Sequence, residues 1–152
     1  MPSLMLTAFL ILIMTGNAFA AQEMLKTSKV KVGEKMLFTE TLKKAHDEGN
    51  AIVLVLFPNP LGCKGCDELI SLLGKEAERN KDIAYIMAGA QDILGAPGSE
   101  TAELKRLYGF VTMGAPWTFF IDKEGILRKI LLGPFGREEL EDVLNAVMGG
   151  KK

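Results

Sequence analysis

From Ala51 to Phe57 every position is apolar, Ala51-Ile52-Val53-Leu54-Val55-Leu56-Phe57, with β-branched residues prominent among them. An unbroken apolar run of this length reads as a strand buried on both faces. Downstream the period changes. Cys66, Leu69, Ile70, Leu73 and Ala77 recur at helical spacing and predict an amphipathic helix reaching about Asn80. Upstream, Phe38, Leu42 and Ala45 keep a helical beat that stops at Gly49-Asn50. Beyond Asn80 the pattern predicts a strand over Ile83 to Met87 and a loop over Gly89 to Ser99. A helix from Glu100 to Tyr108 follows, with Ser99 as its cap and Leu104, Leu107 and Tyr108 inward. Trp117 to Ile121 and Ile126 to Leu132 read as paired strands joined by the turn Asp122-Lys123-Glu124-Gly125. Leu140, Val143, Leu144 and Val147 mark a terminal helix, and Val30-Lys31-Val32 a short edge strand. Crossovers followed by a hairpin predict an α/β domain, a mixed sheet with helices on both faces.

The 152 residues suffice for one such domain and little more. Residues 1–20 read as a signal peptide, apolar from Leu4 to Met14 and ending in the small-x-small pattern Ala18-Phe19-Ala20. No Lys or Arg precedes the apolar run, and an uncleaved membrane anchor is the alternative. Residues 21–35 form an N-terminal extension and 36–150 the folded domain. With 18 basic and 19 acidic residues the chain has no basic footprint for nucleic acid or an anionic membrane.

The chemistry concentrates at Leu61-Gly62-Cys63-Lys64-Gly65-Cys66-Asp67-Glu68-Leu69, which holds both cysteines of the chain. Pro58-Asn59-Pro60 stiffens the approach from the buried strand. Cys63 falls near the head of the helix, where unpaired N–H groups and the macrodipole favour an anion. A thiol with an ordinary pKa of about 8.5 is pulled down in such a place. Cys66 falls on the inward stripe and should be shielded. The pair reads as a redox dithiol in which Cys63 attacks and Cys66 resolves. A purely structural disulfide would gain little from so small a loop. Asp67 and Glu68 are candidates for proton transfer, or else partners of the helix dipole. His46, the only histidine, is a candidate catalytic base or metal ligand, but among Lys43, Lys44, Asp47 and Glu48 it reads rather as a solvated surface residue.

A buried strand feeding C-x-x-C at a helix start, with Gly114-Ala115-Pro116 before a later strand, resembles the thioredoxin-fold thiol–disulfide oxidoreductases. Gly114-Ala-Pro-Trp-Thr-Phe-Phe-Ile-Asp122 followed by Lys123-Glu-Gly125 is similar to the proline segment of their exported, periplasmic branch. The resemblance implies a thioredoxin-like fold with a central mixed sheet of four to five strands. It implies that Pro116 has a cis peptide bond and packs on the dithiol, with Ala115, Pro116 and Trp117 binding substrate. A disulfide-bearing protein substrate and a membrane-bound electron donor would be the partners of a monomer, with no cofactor beyond the Cys63–Cys66 pair. The chain departs from the family in having Lys64-Gly65 between the cysteines, Gly62 in place of a tryptophan, and no carboxylate in the preceding strand. Reductase is the favoured direction. A metal-binding or metallochaperone module using the two cysteines, and a non-catalytic binding protein with a stable disulfide, are the competing functions.

Overall fold

The computed structural model describes residues 28–58, 63–89, 99–110 and 114–148. The proposed signal peptide, most of the extension, residues 59–62 and most of the loop before Ser99 lie outside them. The apolar run forms β1 (Ala51–Leu56), in which every residue is buried. It is preceded by α1 (Glu40–Asp47) and followed by α2 (Cys66–Arg79), β2 (Ile83–Ala88) and α3 (Glu100–Tyr108). The hairpin β3 (Trp117–Ile121) and β4 (Leu127–Leu132) and the helix α4 (Arg137–Val147) complete the order.

Four strands form one sheet in the order β2-β1-β3-β4. β1 pairs in parallel with β2 and antiparallel with β3, and β3 antiparallel with β4. The register sets Leu56 opposite Trp117, so the end of β1 that leads to the cysteines lies beside the start of β3 that follows Pro116. The strand period of two then divides the core. Ile52, Leu54 and Leu56 point into a cluster closed by Leu42 and Ala45 of α1 and Leu104 and Tyr108 of α3. Val53, Val55 and Phe57 point the other way, against Cys66, Leu69 and Leu73 of α2 and Leu140 and Leu144 of α4. Two helices thus cover each face, and each fully buried large apolar side chain contributes about 1.5–3 kcal/mol.

The local signals work as the residues require. Ser99 accepts a hydrogen bond from the Ala102 N–H at 3.2 Å and caps α3. In the β3–β4 turn the Asp122 carboxylate accepts from the N–H groups of Glu124 (3.0 Å) and Ile126 (2.9 Å) and pairs with Arg128. Burial pushes that carboxyl up, but the Ile126 N–H and the Arg128 guanidinium outweigh it and hold the group below its ordinary value.

Two expectations are corrected. Val30-Lys31-Val32 is not a strand. Pairing with the start of β4 falls a few residues later, with Gly33 N–H donating to Leu127 O at 2.7 Å and an isolated bridge between Lys35 and Ile126. Val30 is instead drawn into the core, and Lys29 N–H donates to Tyr108 O at 3.2 Å. His46 is not a freely solvated surface residue. Its ring lies 4.8 Å from that of Phe38, and a Cβ on Gly125 would meet its Nε2 at 3.2 Å. Apolar contact with the hairpin turn draws it inward despite its charged neighbours.

Candidate functional site

Cys63 and Cys66 are joined by a disulfide, with 5.6 Å between their Cα atoms. Cys66 is the first residue of α2 and is 3% exposed, packed among Val53, Val55, Phe57 and Leu69. Cys63 remains partly exposed and only flanks that cluster. This asymmetry follows from the helical stripe, since Cys66 shares its inward face with Leu69 and Leu73 while Cys63 lies before the helix begins. Disulfide exchange needs one sulfur that a partner can reach and one that waits, and the fold supplies both.

Between them, Gly65 is the N-cap residue of α2 with φ 87° and ψ 0°, left-handed backbone that only glycine adopts without strain. Its carbonyl accepts the Leu69 N–H at 3.1 Å and starts the helix. Asp67 and Glu68 are exposed in the first turn, where negative charge complements the helix dipole. Lys64 is exposed at the turn.

Pro116 is buried and its carbonyl accepts the Gly133 N–H at 2.9 Å, while Ala115 is half-buried. The expected cis bond is absent: no cis peptide occurs among the described residues, so Ala115–Pro116 is trans. Trans is favoured by about 0.5–1 kcal/mol before proline, and Gly114 ahead of the pair takes left-handed backbone, with φ 81°.

Trp117 takes a different place from its neighbour Pro116. Its side chain is fully buried in the cluster on the opposite side of the sheet, 5.4 Å from the Phe110 ring, and does not cover the dithiol. The pleat decides this, because Trp117 stands opposite Leu56 and both point away from the cysteine face. His46 is remote as well. It abuts Gly125 in the β3–β4 turn, at the other end of β3 from Pro116 and at the other end of the sheet from the dithiol.

Sequence reasoning missed three features. Glu76 is 7% exposed on α2, with its carboxylate 3.3 Å from Arg79 Nη1 and 3.9 Å from Arg137 Nε. The signal was present, since Glu76 continues the Cys66, Leu69, Leu73 stripe, but Ala77 was the apolar choice. At about 1.5 Å of rise per residue it lies too far along the helix to take a proton from Cys66. Tyr85 on β2 is pushed up to about 12, first by burial and then by the charge of Glu76. The third is the segment Gly133-Pro134-Phe135-Gly136. Phe135 is packed in the cluster that holds Cys66, and Gly65, Glu68, Leu72, Pro134, Phe135 and Arg137 line an open groove beside the dithiol turn.

Among the described residues no group of three or more His, Cys, Asp or Glu is placed to hold a metal ion. None of their helices is long and apolar enough to cross a membrane.

No family model and no curated protein matches the sequence. Solved structures do. A chain from Chlorobium tepidum, assigned as the thiol:disulfide interchange protein DsbE, superposes with a TM-score of 0.58 at 18% identity, over 78% of this chain and 98% of that one. At that identity the likeness speaks for architecture. The fold is thioredoxin-like, and on it the Cys-x-x-Cys pair stands at the head of α2 as a disulfide.

Proposed function

We propose that the protein is an exported thiol–disulfide oxidoreductase that works as a disulfide reductase. One observation carries the reading: a disulfide-bonded pair at a helix head with Cys66 buried and Cys63 partly exposed. The name of the Chlorobium tepidum neighbour agrees in kind.

In the reduced form the Cys63 thiolate attacks one sulfur of a substrate disulfide. A mixed disulfide forms and the other substrate sulfur leaves as thiolate. The Cys66 thiolate then attacks Cys63, the mixed disulfide breaks, and the second substrate thiol departs. The protein has given up two electrons and two protons, and the Cys63–Cys66 bond is restored. A donor dithiol must open that bond for the next turn, and for an exported protein this points to a membrane-bound source of electrons. Ala115 and Pro116, at the same end of the sheet as the dithiol, are the backbone against which an extended substrate segment would lie. Asp67 and Glu68 are the nearest exposed carboxylates in sequence for proton exchange with solvent. Export rests on the apolar residues 4–14 and on Ala18-Phe19-Ala20, with the periplasm as destination.

The test is reduction of insulin by the mature protein in the presence of dithiothreitol, together with the Cys63→Ser and Cys66→Ser variants. Cys63→Ser should lose all catalysed reduction, and Cys66→Ser should accumulate reducible adducts on Cys63 in extracts. Undiminished activity in Cys63→Ser would refute the assignment.

A further inference from the structure

The segment between β4 and α4 crosses the dithiol turn as a strap, fastened at three points. At its start the Gly133 N–H donates to Pro116 O at 2.9 Å. In its middle Phe135, 9% exposed, is sunk in the cluster around Cys66, with its ring 6.4 Å from that of Phe120. At its end Gly136 caps α4, and its carbonyl accepts the Leu140 N–H at 3.1 Å. Between the first two fastenings the Pro134 ring occupies the space beside the one residue of the C-x-x-C turn with left-handed backbone. A Cβ placed on Gly65 would meet Pro134 Cγ at 3.1 Å and Cβ at 3.3 Å.

We propose that Pro134 is a positioning residue for the dithiol, acting through Gly65, and that the 133–136 strap holds the Cys63–Cys66 turn in register with Pro116. The inference rests on the proposed exchange activity and adds to it a part of the chain that the C-x-x-C motif does not contain.

The argument is one of differential fit. With the disulfide closed, the turn at Gly65 seats against the proline ring. Opening the bond lets the two sulfurs separate by more than a covalent bond length, and the turn between them must accommodate the change. A rigid ring on Gly65 resists that adjustment and so favours the disulfide over the dithiol, because a contact shifts an equilibrium only by its difference between the two states. It also accounts for the residue at 65. Any side chain there meets both a positive φ and the Pro134 ring.

The reaction that reads this is protein dithiol plus oxidised glutathione giving protein disulfide plus two reduced glutathiones, measured at equilibrium in the mature protein. Pro134→Ala should move the equilibrium about threefold to tenfold towards the dithiol, with the thermal midpoint recorded alongside. Gly65→Ala should shift it further, and in the double variant the two shifts should fall short of multiplying, because removing the ring relieves part of the added methyl's clash. Multiplicative shifts overturn the inference. Should Gly65→Ala fail to fold, Pro134→Ala alone decides: an equilibrium within twofold of wild type overturns it. A wild-type dithiol that never equilibrates with glutathione overturns the proposed activity and this inference with it. A wild type that does, beside an indistinguishable Pro134→Ala, overturns this inference alone.

Discussion

The two faces of the sheet divide the residues of β1 between them and differ in what is packed on each. On the face of α1 and α3 lie the two largest of the fully buried side chains, Trp117 and Tyr108, which meet Phe119 tilted and edge-on. The Tyr108 hydroxyl donates to Leu37 O at 3.0 Å and ties in the N-terminal segment. On the face of α2 and α4 aliphatic residues and the rings of Phe57, Phe120 and Phe135 pack around a sulfur. Glu76 is nearly buried in α2, and Thr118, fully buried, stands opposite Val55 of the same face. One face is a keel and the other carries the chemistry, though no polar residue in β1 marks the difference. Reactivity enters through what is laid over the strand: a helix beginning at a cysteine, and a strap beginning at Gly133.

The sharpest way to break this division is to cut adjacent residues of β1 that are both 0% exposed, Leu54 towards the keel and Val55 towards the sulfur. Leu54→Ala should cost about 2–5 kcal/mol in urea unfolding and leave the glutathione equilibrium of the folded protein unchanged. Val55→Ala should cost less, about 1–3 kcal/mol, yet move that equilibrium, because the Cys66 pocket loosens. A shift from Leu54→Ala as large as that from Val55→Ala would show that the faces are not separate.

The division also explains what could be read from the chain. Element type was legible wherever period and punctuation agreed, as in β1, in α2, and in Ser99 ahead of α3. The cysteine asymmetry was legible because a helical stripe fixes which residues turn inward. What stayed hidden depends on contacts between distant segments. The pleat sends Trp117 away from the dithiol, a direction that depends on register with Leu56 rather than on its place after Pro116. The strap was hidden for the same reason, since Gly133-Pro134 reads locally as a turn and gains its meaning only against Gly65. Glu76 was passed over because charge outweighed spacing. Two arginines from α2 and α4 make its burial tolerable, and one of them lies about sixty positions away in the chain.

A smaller effect is expected at Asp122, in the turn at the far end of the hairpin from Pro116. Its lowered carboxyl pKa means the folded state binds the proton less readily than the unfolded chain. The stabilisation is therefore present above the unfolded value of about 3.9 and is lost as pH falls through the lower folded value. Asp122→Asn should cost about 1–3 kcal/mol near neutrality and flatten the decline in stability below about pH 4. Glutathione equilibration should not change, since this turn touches neither cysteine. An altered equilibrium would mean that the hairpin communicates with the dithiol through β3.

The smallest effect, and the most direct comparison of the faces, comes from the two tyrosines, one on each side. Tyr85 lies half-buried on the dithiol side and is pushed up to about 12, by burial first and the charge of Glu76 second. Tyr108, fully buried in the keel, is raised further by burial alone. In both, the neutral phenol is what the fold favours, so their stabilisation is intact below the unfolded value of about 10 and drains away as pH rises through the folded values. Absorbance at 295 nm should therefore stay flat at pH 10 to 11, then rise by one tyrosinate near 12, and Tyr85→Phe should remove that first step. Glu76→Gln should bring it earlier without moving Tyr108, because only Tyr85 feels that carboxylate. A step near 10 in the wild type would mean that burial and Glu76 do not hold the Tyr85 phenol neutral, and this comparison of the two faces would fail.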